Sequence, residues 1–153
     1  MKLTAGQVFG AHTALTIIIN RAARENRKFS NVVNYRIARL HQALNSEAVT
    51  IGTHRVEIMK EVGFEEREVR DEKGNILPGQ WQWVLPEDAK EKQKEWETRW
   101  GELSKEELDV ACEPLLLANL VEVGVEGSDI GIITPGEYVD LGPLVVELAP
   151  NAT

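Results

Sequence analysis

The residue types that do most protein chemistry are few in this chain, and they are scattered. It has three histidines, His12, His41 and His54, and a single cysteine, Cys112. The histidines share no metal-ligand spacing such as HExxH, and Glu47 and His54 lie two helical turns apart, too far for a direct pair. One cysteine closes no intrachain disulfide, and so small a set of histidine and cysteine argues against a structural zinc site. Cys112 stands in Val110-Ala111-Cys112-Glu113-Pro114, which is no nucleophile context, and reads as a small buried thiol. No serine sits in GxSxG. Gly124, Gly127 and Gly131 are spread out and lack the GK[ST] or strand–GxGxxG–helix setting that cradles phosphate. A nucleophile needs a base in reach, and none is signalled. The expectation is a protein with no catalytic residues, no cofactor and no metal.

The chemistry that remains is contact chemistry. Trp81 and Trp83 alternate with Gln82 and Val84, the period of a strand, so both indoles point to one face. They could form a platform for a sugar or a protein partner. The plainer expectation is that this face packs on helices, because tryptophan is costly to leave bare. Val121, Val123 and Val125 alternate with Glu122, Gly124 and Glu126 and read as a half-buried or edge strand. Trp81, Trp83, Val121, Val123 and Val125 are therefore the candidate partner-binding residues.

These residues need a frame, and the frame is organised around residues 31–62. Ile37, Leu44, Ile51 and Ile58 recur every seven residues there, with Val33 and Leu40 in a second row that continues as Glu47 and His54. This is a long helix, broad in its apolar face at first and thin later. It must lie against something to be stable. A first helix over residues 4–24 supplies that surface: Thr4 and Gln7 make a capping box, and Val8, Ala11, Leu15, Ile18 and Ala22 follow a helical stripe. The short connection at Phe29-Ser30-Asn31 makes the two helices an antiparallel hairpin. Arg21, Arg24, Arg27 and Lys28 suit a helix C-terminus better than a nucleic-acid footprint. Gly52 marks a bend or a close approach, and Gly63 stops the long helix.

A β-hairpin follows, turning at residues 71–75, its second arm broken by Pro78-Gly79 into two short pieces. Pro86 opens a third, heavily charged helix to about residue 108. It has a Trp96, Trp100, Leu103 seam, and Asp88–Lys92 and Glu95–Arg99 as i, i+4 pairs. Residues 110–114 read as a strand and 115–120 as a short strand or turn. Thr134-Pro135-Gly136-Glu137 is a capping signal for a short helix through Leu141, with Tyr138 and Leu141 inward. Residues 144–148 form a last apolar piece. The fold class is α+β: residues 1–148 as one domain, residues 149–153 as a frayed tail.

The bulk numbers narrow the classes. A chain of 153 residues, 42% hydrophobic, can bury a core without staples. A formal charge of −8 repels phosphate backbones, so direct nucleic-acid binding is not expected. No apolar run approaches the ~20 residues of a membrane span, and Met1-Lys2-Leu3-Thr4 lacks a signal-peptide layout. The expectation is a protein of a cytoplasm, or of a particle assembled there.

Several stretches also agree in order and spacing with a known pattern. They are Met1-Lys2-Leu3-Thr4-Ala5-Gly6-Gln7, Tyr35-Arg36-Ile37-Ala38-Arg39-Leu40, Glu57-Ile58-Met59-Lys60-Glu61-Val62-Gly63, Asp71-Glu72-Lys73-Gly74-Asn75, Leu85-Pro86-Glu87-Asp88 and Ile133-Thr134-Pro135-Gly136-Glu137-Tyr138. In these the chain resembles a family of uncharacterised small proteins of tailed bacteriophages, many of them encoded among late structural genes. The segments at residues 79–84 and 121–131 are longer than that pattern. The resemblance carries no catalytic residues. It implies a virion or assembly protein, in the particle (tail or neck) or the host cytoplasm, whose partners are other phage structural proteins or further copies of itself. The acidic charge supports a second expectation, an inhibitor or modulator of a host protein that competes for basic nucleic-acid sites.

Overall fold

Thr4 starts the first helix by supplying a partner that the backbone lacks there. Its Oγ1 accepts the Gln7 N–H at 3.3 Å, and the Gln7 side-chain oxygen accepts the Thr4 N–H at 2.9 Å. This reciprocal pair satisfies two donors that a helix N-terminus otherwise orphans. The computed structural model of the protein describes residues 1–26, 29–116 and 133–146. In chain order it contains β1 (Lys2–Thr4), α1 (Ala5–Arg24), α2 (Asn31–Val62), β2 (Glu65–Arg70), β3 (Ile76–Val84), α3 (Lys90–Ser104), β4 (Glu107–Asp109), β5 (Leu115–Leu116), α4 (Pro135–Leu141), a 3₁₀ turn (Gly142–Leu144) and β6 (Val145–Val146). The fold is α+β, as the periodicities predict. Its contacts divide into two compact units, Met1–Ile51 with Lys105–Thr153, and Gly52–Ser104. The boundary falls inside α2, which runs across Gly52 as one helix.

In the first unit, α1 buries Val8, Ala11, Ala14, Leu15 and Ile18, and α2 buries Val33, Ile37, Leu40, Leu44, Ala48 and Ile51. Each large apolar side chain so covered contributes roughly 1.5–3 kcal/mol relative to exposure. His12 reaches Asn45 while Thr16 reaches His41, so position rises along α1 as it falls along α2. The two helices are antiparallel, as their short connection predicts. The second row of α2 turns outward at Glu47 and His54, which are exposed.

Three departures from the sequence reading lie around α3 and β4. Residues 86–89 form a turn, not the first turn of a helix, because Asp88 sits in the left-handed region at φ 66°. The helical bonding starts when the Gln93 N–H reaches the Ala89 carbonyl at 2.9 Å, so Asp88 and Lys92 do not share a helix. Nor does α3 reach residue 108. Glu107–Asp109 is extended and pairs antiparallel with Lys2–Thr4, Leu3 opposite Leu108. The Met1 ammonium on the Val110 carbonyl (2.8 Å) and the Ala5 N–H on the Glu106 carbonyl (2.8 Å) close both ends of that ribbon. Residues 110–114 are not a strand. The Cys112 N–H folds back on the Val110 carbonyl at 2.9 Å and Pro114 has no N–H to give, so regular pairing begins only at Leu115–Leu116, parallel to Val145–Val146.

The capping signal at Thr134 is present as read. Thr134 Oγ1 accepts the Glu137 N–H at 3.4 Å, and Glu137 Oε2 accepts the Thr134 N–H at 2.8 Å. Glu137 does more than cap. It is buried, and Arg21 of α1 grips both its oxygens, Nη1 to Oε2 at 2.9 Å and Nη2 to Oε1 at 2.6 Å. Here α4 packs on α1. Burial pushes the Glu137 carboxyl up. The Arg21 hydrogen bonds and charge, with those from Thr134, outweigh it and hold the group below the usual carboxylate range. The expected tail at residues 149–153 and the basic residues Arg27 and Lys28 lie outside the described residues.

Removing one partner strands the other charge. Arg21→Ala is expected to destabilise the fold by roughly 3 kcal/mol, read as a lower urea midpoint. The same pair sets an acid limb. The folded Glu137 pKa is depressed, so its contribution is full above the unfolded carboxylate value (about 4.3) and disappears as pH falls through the folded value. Urea midpoints between pH 7 and pH 3 should fall less steeply in Glu137→Gln than in the parent.

Candidate functional site

In the second unit the contact chemistry gathers on α2, the hairpin and α3. Gly63 ends α2 at φ 109°, with the Gly63 N–H on the Lys60 carbonyl (3.2 Å) and the Phe64 N–H on the Met59 carbonyl (2.9 Å). A left-handed residue there closes the last carbonyls and turns the chain into β2. The turn to β3 is organised by Asp71. Its Oδ1 accepts the N–H groups of Lys73 and Asn75, both at 2.9 Å, and its carboxyl is held below its ordinary value, chiefly by the Asn75 backbone N–H. Gly74 supplies the positive φ, 81°, that the turn needs.

β2 and β3 pair antiparallel, with Glu65 opposite Val84, Glu66 opposite Trp83, Arg67 opposite Gln82 and Glu68 opposite Trp81. The register then slips: Arg70 faces Ile76, so Val69 alone spans Leu77 through Gln80. Pro78 and Gly79, at φ 75°, are absorbed in that bulge. The second arm is therefore one strand with a bulge, not the two pieces expected from the Pro-Gly pair. Directly opposed residues share a face. Trp81, Trp83, Glu66 and Glu68 line one face, and Arg67 and Gln82 meet on the other.

Trp81 is 57% exposed, which corrects the expectation that both indoles are packed away. Trp83 is half-buried, its ring 5.9 Å from Lys60 Nζ. The packing role belongs instead to α3. Trp96 and Trp100 stack with centroids 5.9 Å apart and planes at 4°, and Phe64 meets the edge of Trp96 at 5.4 Å. The Arg55 guanidinium lies over both indoles, 5.3 Å and 5.5 Å from their centroids. A cation over an indole face is worth ~0.5–2 kcal/mol, more as it is desolvated. Arg99 pairs with Glu61 of α2 and, at 3.7 Å, with Glu95, the i, i+4 partner read from sequence. Residues 121, 123 and 125, the valine strand, lie outside the described residues.

A second polar cluster lies in the first unit, between α1 and α2. The His12 and His41 rings stack at 4.4 Å. His12 Nε2 is 3.2 Å from Asn45 Oδ1, and His41 Nε2 is 2.9 Å from Thr16 Oγ1. Thr16 gives its one hydroxyl proton to the His12 carbonyl at 2.9 Å, so His41 is the donor in its own bond to Thr16. Burial, with the nearby His12, lowers the His41 pKa. Stacked rings aim their lone pairs in parallel planes and do not converge on one ion. Among the described residues there is no group of three or more His, Cys, Asp or Glu able to hold a metal. Burial pushes the Cys112 thiol up, away from a thiolate. Sequence spacing could not show the histidine stack, since His12 lies on α1 and His41 on α2 and only the helix reversal brings them together.

Compared with protein-family models, curated proteins and solved structures, the chain matches none of them.

Two outcomes separate contact residues from structural ones. Trp81→Ser should leave thermal stability within about 0.5 kcal/mol, whereas Trp96→Ala should cost roughly 3 kcal/mol, both read by calorimetry. The His41 pKa is lowered in the folded state, so its contribution is present above about pH 6.5 and fades as pH falls through the folded value. The decline in urea midpoint from pH 7.5 to pH 5 should flatten in His41→Gln.

Proposed function

We propose that this chain is a non-enzymatic bacteriophage structural or assembly protein that works through protein–protein contacts. The observation that carries the contact reading is Trp81, 57% exposed on a two-stranded hairpin beside a half-buried Trp83. Indole left in water is unfavourable, and tryptophan is enriched where partners cover it. The phage assignment rests on the ordered stretches from Met1 to Tyr138 that resemble the small tailed-phage proteins. A net charge of −8 favours protein partners, or further copies, over direct contact with nucleic acid. Among the described residues no helix is long and apolar enough to cross a membrane. The place that fits is the virion, in its neck or tail, or the host cytoplasm during assembly. The same acidity supports a second reading, a modulator that occupies a basic site on a host protein.

Peptide mass spectrometry of purified particles of the encoding phage, with copy number, tests the proposal. A fixed small copy number is the expected result. Recovery only from infected lysate, in complex with phage structural proteins, supports the assembly role. Capture of a host protein that high salt releases supports the second reading instead. A chain that meets none of these proteins overturns both.

A further inference from the structure

β3 differs from its neighbour β2 in its charge. From Ile76 to Val84 it carries no charged residue, whereas β2 beside it carries Glu65, Glu66, Arg67, Glu68 and Arg70. Among the described residues the sheet has only these two strands, so β3 has an outer edge whose backbone groups point away from β2. Edge strands are ordinarily blunted by charge, proline or a bulge. β3 has Pro78 and the bulge in its first half. Trp81 to Val84 has none of the three, and Gln80, Trp81 and Gln82 are exposed in succession, which takes in both faces.

We propose that two copies of this chain pair antiparallel through the outer edges of Gln80 to Val84, about a two-fold axis at Gln82. This rests on the protein-contact reading and names the partner as a second copy. The symmetry restricts the register. A closed two-fold antiparallel pair sets residues of one face opposite each other, so a residue must sit on the axis and oppose itself. With Gln82 on the axis, Trp81 opposes Trp83 of the second copy, Gln82 opposes Gln82, and Gln80 opposes Val84. The inner pairs set indole against indole and amide against amide, and the outer pair sets Gln80 against Val84. An axis at Trp81 brings in Gly79 and Pro78 of the bulge, and one at Trp83 runs past the end of β3.

Charge favours a copy in the same register. The pairing sets no charged side chain opposite another. The acids of the two β2 strands, Glu66 and Glu68, become the outer strands of a four-stranded sheet, three strand spacings or about 14 Å apart. At physiological salt the screening length is about 8 Å, so their mutual repulsion is largely lost. Trp81 and Trp83 of both copies then form one continuous aromatic row, and the exposed indole is covered.

Sedimentation equilibrium of the full chain at ~0.15 M salt, over roughly 1–200 µM, tests this. The expected result is a monomer–dimer equilibrium within that range, typical of small interfaces. Gln82→Glu sets a carboxylate opposite the chain's own Arg67, so the hairpin keeps its pairing. Across the axis that carboxylate faces its own copy, and the dissociation constant should rise about fivefold or more. Gln82→Lys should weaken the dimer likewise. An equal mixture of the two variants should recover a heterodimer at least as tight as the parent, which also shows that both are folded. A monomeric parent across the range overturns the proposal, as does a dimer indifferent to both substitutions. If the monomer instead binds phage structural proteins, the protein-contact reading stands while this pairing falls. A glycan that shifts the tryptophan fluorescence of the monomer, with no dimer formed, overturns it in favour of a ligand platform.

Discussion

Removing the α1–α2 seam from water is the interaction on which the first unit depends. Neither helix could hold itself: α1 carries Gly6 and Gly10 in its first turns, and α2 has a polar majority around a narrow stripe. With Val8, Leu15 and Ile18 of α1 and Ile37, Leu40 and Leu44 of α2 all buried, the surrounding pieces have a surface to cover. β1 and β4 are only three residues each and could not pair alone. They form because α1 begins immediately after Thr4 and the Met1 and Ala5 backbone bonds fasten both ends of the ribbon.

Among the described residues of that unit, the buried charge, Glu137, is fully partnered. Its carboxylate has lost most of its water, and the fork of Arg21 and the Thr134 N–H replace it. The cap alone would form a short helix end. The ion pair is what ties α4 to α1, at the cost of sensitivity to any change that leaves one charge behind. The stacked histidines are partnered more weakly, each ring's Nε2 having a side-chain oxygen within 3.2 Å.

The second unit separates two uses of one residue type. Trp96 and Trp100 stack beneath Arg55 and hold α3, while Trp81 is left in solvent on a strand without charge. β3 carries no charge beside a β2 of five charged residues, so its outer edge lacks the charges that ordinarily keep an edge from pairing.

Local periodicity and capping chemistry determined α1, α2 and α4. The long helix over residues 31–62, both capping boxes, the stop at Gly63 and the turn at Asp71 follow from side chains acting within a few residues of themselves. Such interactions are legible because they need no knowledge of distant chain. The tertiary structure decided what depends on long-range proximity. Leu108 left the helix for a strand because Leu3, over a hundred residues earlier, offered a partner. Arg21 became the mate of Glu137 across 116 positions, and His12 met His41 across the helix reversal. Trp81 and Trp83 could be placed on one face from their spacing alone. Which indole stayed in water was set by what α2 and α3 had already covered, and no spacing in the sequence contains that.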